Sequence, residues 1–233
     1  MIVSGRNNVK EILNNYHESY GIKKAFVQNN FNEQNILSLL KKIRIPIIYE
    51  DKIKLDVLAK NNHQGIVLEV NDFEYCELDE IIGNKDKCRI VILDHLEDPH
   101  NLGAIIRTVE ASGIDGVILP INRSVSVNET VMKTSVGALF NTKICQVTNL
   151  HNTIKYLKKK GFWLYGADMD GEDYSKIDYG DKACLVIGNE GKGLARIIEE
   201  ECDYIVSIPM KGKVNSLNAS VACGILIYEM IKR

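Results

Sequence analysis

Six apolar runs, each five or six residues long, punctuate the last two thirds of this chain, at residues 89–94, 115–120, 143–147, 163–167, 183–187 and 204–208. They are rich in Ile, Val and Leu and do not alternate apolar with polar. Runs of that length and pattern read as strands, and residues 89–94 as a buried one of the parallel type. Helical spacing fills the gaps between them. Leu102, Ile105, Ile106 and Val109 form one apolar face, and residues 150–160 form an amphipathic helix with a basic end. Strands alternating with helices predict an α/β fold.

The first 70 residues repeat that alternation at smaller scale. Val9, Ile12, Leu13 and Tyr16 fall at helical spacing, residues 25–27 read as a strand, and Ile36 to Ile43 mark a second helix. Residues 46–49 are a strand, 53–60 a third helix with Leu55 and Leu58 inward, and 66–70 a strand. Residues 71–88 are acidic and weakly periodic, so they are expected to form a linker, with one short helix at most. The expected division is therefore 1–70, a linker 71–88, and 89–233.

The 233 residues carry a net charge of −2, and no global field advertises nucleic acid. Residues 1–70 hold ten Lys/Arg against seven Asp/Glu, or +3, a basic bias that suits an RNA-facing module and a solvated face equally. Arg6, Asn7 and Asn8 can contact RNA or cap the first helix, and His63-Gln64-Gly65 reads as a turn that needs its glycine. The six cysteines are widely spread, with no metal-ligand spacing, and several lie in apolar runs. Buried reduced thiols in a cytosolic protein are expected, with no structural metal. No apolar run is long enough to cross a membrane.

Three loops carry the chemistry. Asp98-Pro99 is a helix start, with Asn101 and Arg107 off the apolar face of the helix that follows and Gly113 ending it. Residues 188–194 follow the fifth strand and hold three glycines, so a ligand can approach the backbone. Their spacing fits neither phosphate-loop pattern, and Glu190 argues against a pyrophosphate; an adenosine-bearing ligand without phosphates fits better. Residues 204–208 read as a buried strand that Pro209 ends. Ser216 or Asn218 can then cap a C-terminal helix from Ala219, apolar on nearly every side and expected to be buried. Each polar residue also has a structural reading: Asn101, Ser216 and Asn218 as caps, Glu190 as an ion-pair partner, Arg107 as a solvated helix residue.

Together the three loops resemble the three motifs of the SpoU/TrmH family of RNA 2′-O-methyltransferases, in the SPOUT superfamily. Asp98 to Thr108 resembles the first, Ile187 to Gly193 the second and Ile208 to Ser220 the third. Ser4-Gly5-Arg6-Asn7 and residues 63–67 resemble the substrate-binding domain of the RlmB-like subgroup, so the resemblance covers nearly the whole chain. It implies a parallel sheet with a deep trefoil knot, an N-terminal domain like ribosomal protein L30e, and a homodimer. It implies S-adenosylmethionine held by backbone groups at Gly188, Ile208 and Leu217, and Asn101, Arg107, Glu190, Ser216 and Asn218 at the active site. It further implies methylation of a guanosine ribose in large-subunit (23S) ribosomal RNA. Two alternatives are a transfer RNA 2′-O-methyltransferase and a non-catalytic RNA-binding assembly factor.

Overall fold

The computed structural model describes residues 1–59 and 62–232. The chain divides into two compact units, 1–74 and 75–233.

The first unit opens with β1 (Ile2–Ser4) and α1 (Arg6–Glu11), which runs through a π-helical turn (Ile12–Tyr16) into α2 (His17–Tyr20). Then come β2 (Ile22–Gln28), α3 (Gln34–Lys42), β3 (Ile47–Glu50), α4 (Lys52–Leu58) and β4 (Ile66–Val70). The sheet order is β1-β4-β2-β3; β4 runs antiparallel to both its neighbours, and β2 pairs parallel with β3. Val9, Ile12 and Leu13 on one side and Ile36, Leu37 and Leu40 on another are buried, as their spacing predicts. Leu55 is fully buried with Phe26, Ala59 and Val67, whereas Leu58 is only partly covered. The helix expected over 53–60 ends at Leu58, and Lys60 lies outside the described residues.

The second unit begins earlier than the sequence suggests. Residues 75–88 are folded into it: α5 (Leu78–Ile82) has a reciprocal capping box, and Ile81 and Ile82 are buried in the main core. Cys76 donates its backbone N–H to Ile144 and so extends the sheet edge. Sparse apolar residues hid this, because two isoleucines and one bridge anchor the segment.

There follow β5 (Cys88–Leu93), α6 (Pro99–Ser112), β6 (Gly116–Pro120), α7 (Glu129–Thr134), β7 (Ile144–Val147), α8 (Leu150–Lys159), β8 (Trp163–Asp173), β9 (Lys182–Ile187), α9 (Arg196–Glu199), β10 (Tyr204–Ser207) and α10 (Ala219–Ile231). Six strands form one sheet, β10-β8-β9-β5-β6-β7, and every pairing in it is parallel. Central β5 is buried along its whole length. Asp98 caps α6 and accepts from His100 N at 2.9 Å; Pro99 opens the helix, and Gly113 closes it at φ 72°. Gly103 lets α7 approach, since a Cβ there would meet Thr134 Oγ1 at 1.8 Å.

Two burial expectations are corrected. β10 is an edge strand, and of its four residues only Val206 is buried. α10 buries Cys223, Leu226, Ile227 and Met230, but Val221 and Tyr228 are each 50% exposed. Apolar composition marks both as candidates for burial; whether anything covers them is decided by the rest of the sheet, which the local sequence does not encode.

Candidate active site

The C-terminal ends of β8, β9 and β10 open into one cavity of about 470 Å³, at the edge of a parallel sheet where such folds place ligands. The expected strand 163–167 continues to Asp173 because it carries a bulge. Ile205 pairs with Gly166 and Val206 with Glu172, so the residues between leave the ladder and line the cavity. A Cβ on Gly171 would lie 2.6 Å from the Ile205 backbone, so the two chains cross closely.

The loop after β9 folds back on itself. Asn189 N donates to Gly193 O at 2.9 Å and Gly193 N to Asn189 O at 3.0 Å. Asn189 Oδ1 accepts from Gly191 N and Lys192 N, at 3.0 and 3.2 Å. A Cβ at Gly188 would lie 2.2 Å from the Gly193 carbonyl carbon, so only glycine fits the crossing. The loop is tied to the end of β5 as well. Asn189 Nδ2 donates to His95 O at 2.8 Å, and Ala195 N donates to Asp94 Oδ2 at 2.8 Å. Asp94 is 1% exposed and also bonds the His95 ring. Sequence reasoning passed over Asn189 and Asp94. A carboxylate ending an otherwise apolar strand was the available signal, since buried charge demands partners.

Glu190 reaches the loop before α6 and accepts from Asp98 N at 3.3 Å, Glu97 N at 3.4 Å and Asn101 Nδ2 at 3.1 Å. Its negative charge at a helix N-terminus is favourable. Asn218 caps α10, accepting from Ser220 N at 2.9 Å, and donates its Nδ2 to Asn101 Oδ1 at 2.9 Å. Glu190, Asn101 and Asn218 thus form one hydrogen-bonded line across all three loops. Asn101 was expected off the covered face of its helix; it is buried at 6% exposure, because this line sits over it.

Gly188, Ile208, Leu217, Glu190, Ser216 and Asn218 all line the cavity, and Asn101 is bonded to two of them. Arg107 is not among the lining residues and is exposed on α6. Six residues past Asn101 places it about 9 Å further along the helix and about 120° around it. The walls are aliphatic (Ile187, Ile208, Leu217, Leu226) or main chain, with the carboxylates of Asp168 and Asp170 at one side. Backbone N–H and C=O groups suit an adenine edge, and the carboxylates suit a cationic ligand. Among the described residues no cluster of three or more His, Cys, Asp or Glu side chains is placed to hold a metal ion, and no helix is long and apolar enough to cross a membrane.

A parallel sheet whose C-terminal loops close on a backbone-lined cavity defines an α/β enzyme built to hold a nucleoside-bearing ligand. Residues 89–228 match the SpoU rRNA Methylase family, and residues 2–76 match the RNA 2′-O ribose methyltransferase substrate-binding domain. The chain belongs to this family and is an RNA methyltransferase of the SpoU/TrmH type. A protein of Staphylococcus saprophyticus, provisionally named a TrmH family tRNA/rRNA methyltransferase, is 40% identical over all of this chain and 96% of its own length. The similarly named YacO of Bacillus subtilis is 40% identical over 99% of this chain and 95% of its own. The SpoU methyltransferase AviRb of Streptomyces viridochromogenes, solved in complex with the cofactor AdoMet, superposes with a TM-score of 0.82 at 26% identity, covering 100% of this chain and 89% of that one.

Proposed function

We propose that this chain methylates a ribose 2′-hydroxyl of RNA, specifically a guanosine of large-subunit ribosomal RNA, and that it works as a cytoplasmic homodimer. The observation that carries the reading is the Glu190–Asn101–Asn218 line, which ties all three motif loops to one backbone-walled cavity. The donor is S-adenosylmethionine, which when bound supplies an electrophilic methyl on a sulfonium. Gly188, Ile208 and Leu217 hold it through main-chain groups, a role the residues present fit.

Held there, S-adenosylmethionine would supply its sulfonium methyl to the ribose 2′-oxygen, becoming a neutral thioether, while the hydroxyl proton would pass to water. Alignment supplies much of the rate. Ser216, which lines the cavity, orients the ribose. Asn218 spends its amide on the helix cap and on Asn101, so it holds the loop. Glu190 holds the start of α6. Arg107 stays cationic, since neutral guanidinium is costly, and stabilises RNA phosphate and developing alkoxide.

The first unit is read as the L30e-like RNA-docking domain, which favours ribosomal over transfer RNA, and the second as the SPOUT domain with its trefoil knot. Close backbone crossings at Gly171 and Gly188 support the knot. The half-exposed Val221 and Tyr228 on α10 support a second copy covering that face.

Calorimetry with S-adenosylmethionine and a methyl-transfer assay on 23S ribosomal RNA test the reading. The native chain is expected to bind the donor, and Arg107→Ala to bind it equally while losing at least ~100-fold in transfer. Full transfer by Arg107→Ala removes its assigned role, and absence of donor binding by the native chain removes the enzyme reading. Mapping of ribose methylation in a deletion strain identifies the nucleotide.

A further inference from the structure

The first unit holds its own cleft, of about 660 Å³, between the end of β2 and the turn at residues 62–65. Four residues with carboxamide side chains line it, Gln28, Asn30, Asn62 and Gln64. Gln64 spends its Oε1 on Arg6 N at 2.8 Å, and Asn62 its Oδ1 on Gln64 N at 3.3 Å. Among the described residues the amide groups of Gln28 and Asn30 and the –NH₂ groups of Gln64 and Asn62 make no hydrogen bond. The Lys52 ammonium at the rim makes no ion pair among them either.

The turn is held in a conformation that side chains rarely adopt. Gln64 has φ 51° and Gly65 φ 85°. His63, 4% exposed, locks it: ring Nδ1 accepts from Gly65 N at 2.9 Å, and Nε2 donates to Asp56 Oδ1 at 3.0 Å. Arg6 Nε donates to Gln64 O at 3.0 Å, and the guanidinium also pairs with Glu33 and lies 5.4 Å over the Phe31 ring. Left-handed backbone at a non-glycine residue, fixed from two sides, is the kind of strain that persists where a surface is shaped for a ligand.

From this we infer that the cleft takes one unpaired nucleotide of the RNA substrate and reads its base edge. A base edge presents donors and acceptors side by side in a plane, the pattern a carboxamide complements in two-point fashion. Sequence-specific RNA recognition falls on unstacked bases with free edges. The cleft lies within the range of small-ligand sites and has room for one nucleotide with its sugar. Phe31 supplies an aromatic face to its lining, and Lys52 a cation for the adjoining phosphate. His63 is a positioning residue.

The inference rests on the RNA-methyltransferase reading, yet it is tested apart from it. The probe is a random-sequence single-stranded RNA 12-mer, with a duplex of the same length as control. Binding to the full chain is read by fluorescence anisotropy, and contact sites by irradiation at 254 nm and peptide mapping. The native chain is expected to favour the single strand and to give adducts within residues 28–31 or 62–65. Gln28→Ala/Asn30→Ala, which leaves the backbone bonds of β2 in place, is expected to weaken binding at least ~10-fold and to lose those adducts, with affinity for S-adenosylmethionine unchanged. Equal affinity for duplex, unchanged binding by the double variant, or adducts confined to residues 75–233 overturns the cleft assignment without touching the donor site. Failure to bind S-adenosylmethionine sinks the enzyme reading and leaves the cleft result standing.

Discussion

In the second unit the cavity wall is main chain and aliphatic side chains brought close by glycines; in the first it is carboxamide residues from the end of β2 and from a strained turn. Gly188 meets the backbone of Gly193 and Leu194 with no space for a Cβ, whereas Gln28, Asn30, Asn62 and Gln64 line their cleft. A wall of backbone recognises whatever matches fixed N–H and C=O positions, and tolerates almost no change in the residues that shape it. A wall of side chains can be re-spelled one residue at a time. An invariant donor suits the first construction, and a substrate that differs from one RNA to another suits the second.

The units also differ in what their cores bury, and alkaline pH should separate them. All six cysteines lie in the second unit, as free thiols. Burial pushes Cys88 and Cys145 up to about 11, and Cys202 and Cys223 up to about 12. Burial also holds Cys184 well above its ordinary value. Unfolded thiols ionise near pH 9, so above that pH the unfolded state sheds protons the folded state keeps. Stability is fully present below pH 9 and falls as pH rises toward 11, by up to about 1.4 kcal/mol per pH unit for each thiol. All of these thiols act in the same direction, so the second unit is the one expected to weaken. Among its described residues the first unit has only Tyr20 of this kind, its phenol raised chiefly by burial, and that group acts above pH 10. Hydrogen exchange at pH 10.5 should show peptides from residues 88–227 losing protection while those from β2 and β4 keep it. Parallel loss in both units would erase this contrast.

Next in size is Gly188→Ala. The added Cβ meets backbone at 2.2 and 2.4 Å, so the loop must move, and with it the hydrogen bonds of Asn189 to His95 and of Ala195 to Asp94. Affinity for S-adenosylmethionine should fall at least ~100-fold, with a loss of about 1–3 kcal/mol in stability. Calorimetry and thermal unfolding measure the two. Donor binding that survives intact would mean that the wall is not the backbone at this crossing.

How much of this could be read from residues alone follows the same division. Uniform apolar runs gave five of the second unit's six strands closely, because burial on both faces leaves a local composition signal. The start of α6 at Asp98-Pro99 and that of α10 at Asn218-Ala219 were legible, since caps are chosen by side-chain chemistry within three residues. The bulge in β8 was not, because only its pairing with β10 reveals it. The edge position of β10 and the half-open face of α10 were hidden for the same reason: burial depends on neighbours far along the chain. Within the site, Asn101, Glu190 and Asn218 are joined by hydrogen bonds and Ser216 lines the same cavity, while Arg107 stands outside it. Asn189 and Asp94 hold the loop geometry without belonging to any spacing pattern, so only contacts disclose them.

The smallest expected effect comes from the opposite kind of substitution, Gln64→Gly, which removes a side chain where Gly188→Ala adds one. At φ 51° a glycine relieves backbone strain, a gain of about 1 kcal/mol, and it gives up the bond from Arg6 N to Gln64 Oε1, a loss of similar size. The unfolded chain also gains freedom, which costs the folded state up to about 1 kcal/mol. The sum leaves the melting temperature of the first unit within a few degrees of native. Binding of the single-stranded 12-mer should nonetheless weaken about threefold to tenfold, because one of the four carboxamides is gone and the Arg6 side of the cleft loses its anchor. Donor affinity in the second unit should not move. If Gln64→Gly instead unfolds the first unit, the turn is a structural clasp rather than a recognition surface. If it binds RNA at native strength, the side-chain wall is not what the RNA reads, and the two units would differ in architecture without differing in how they choose a ligand.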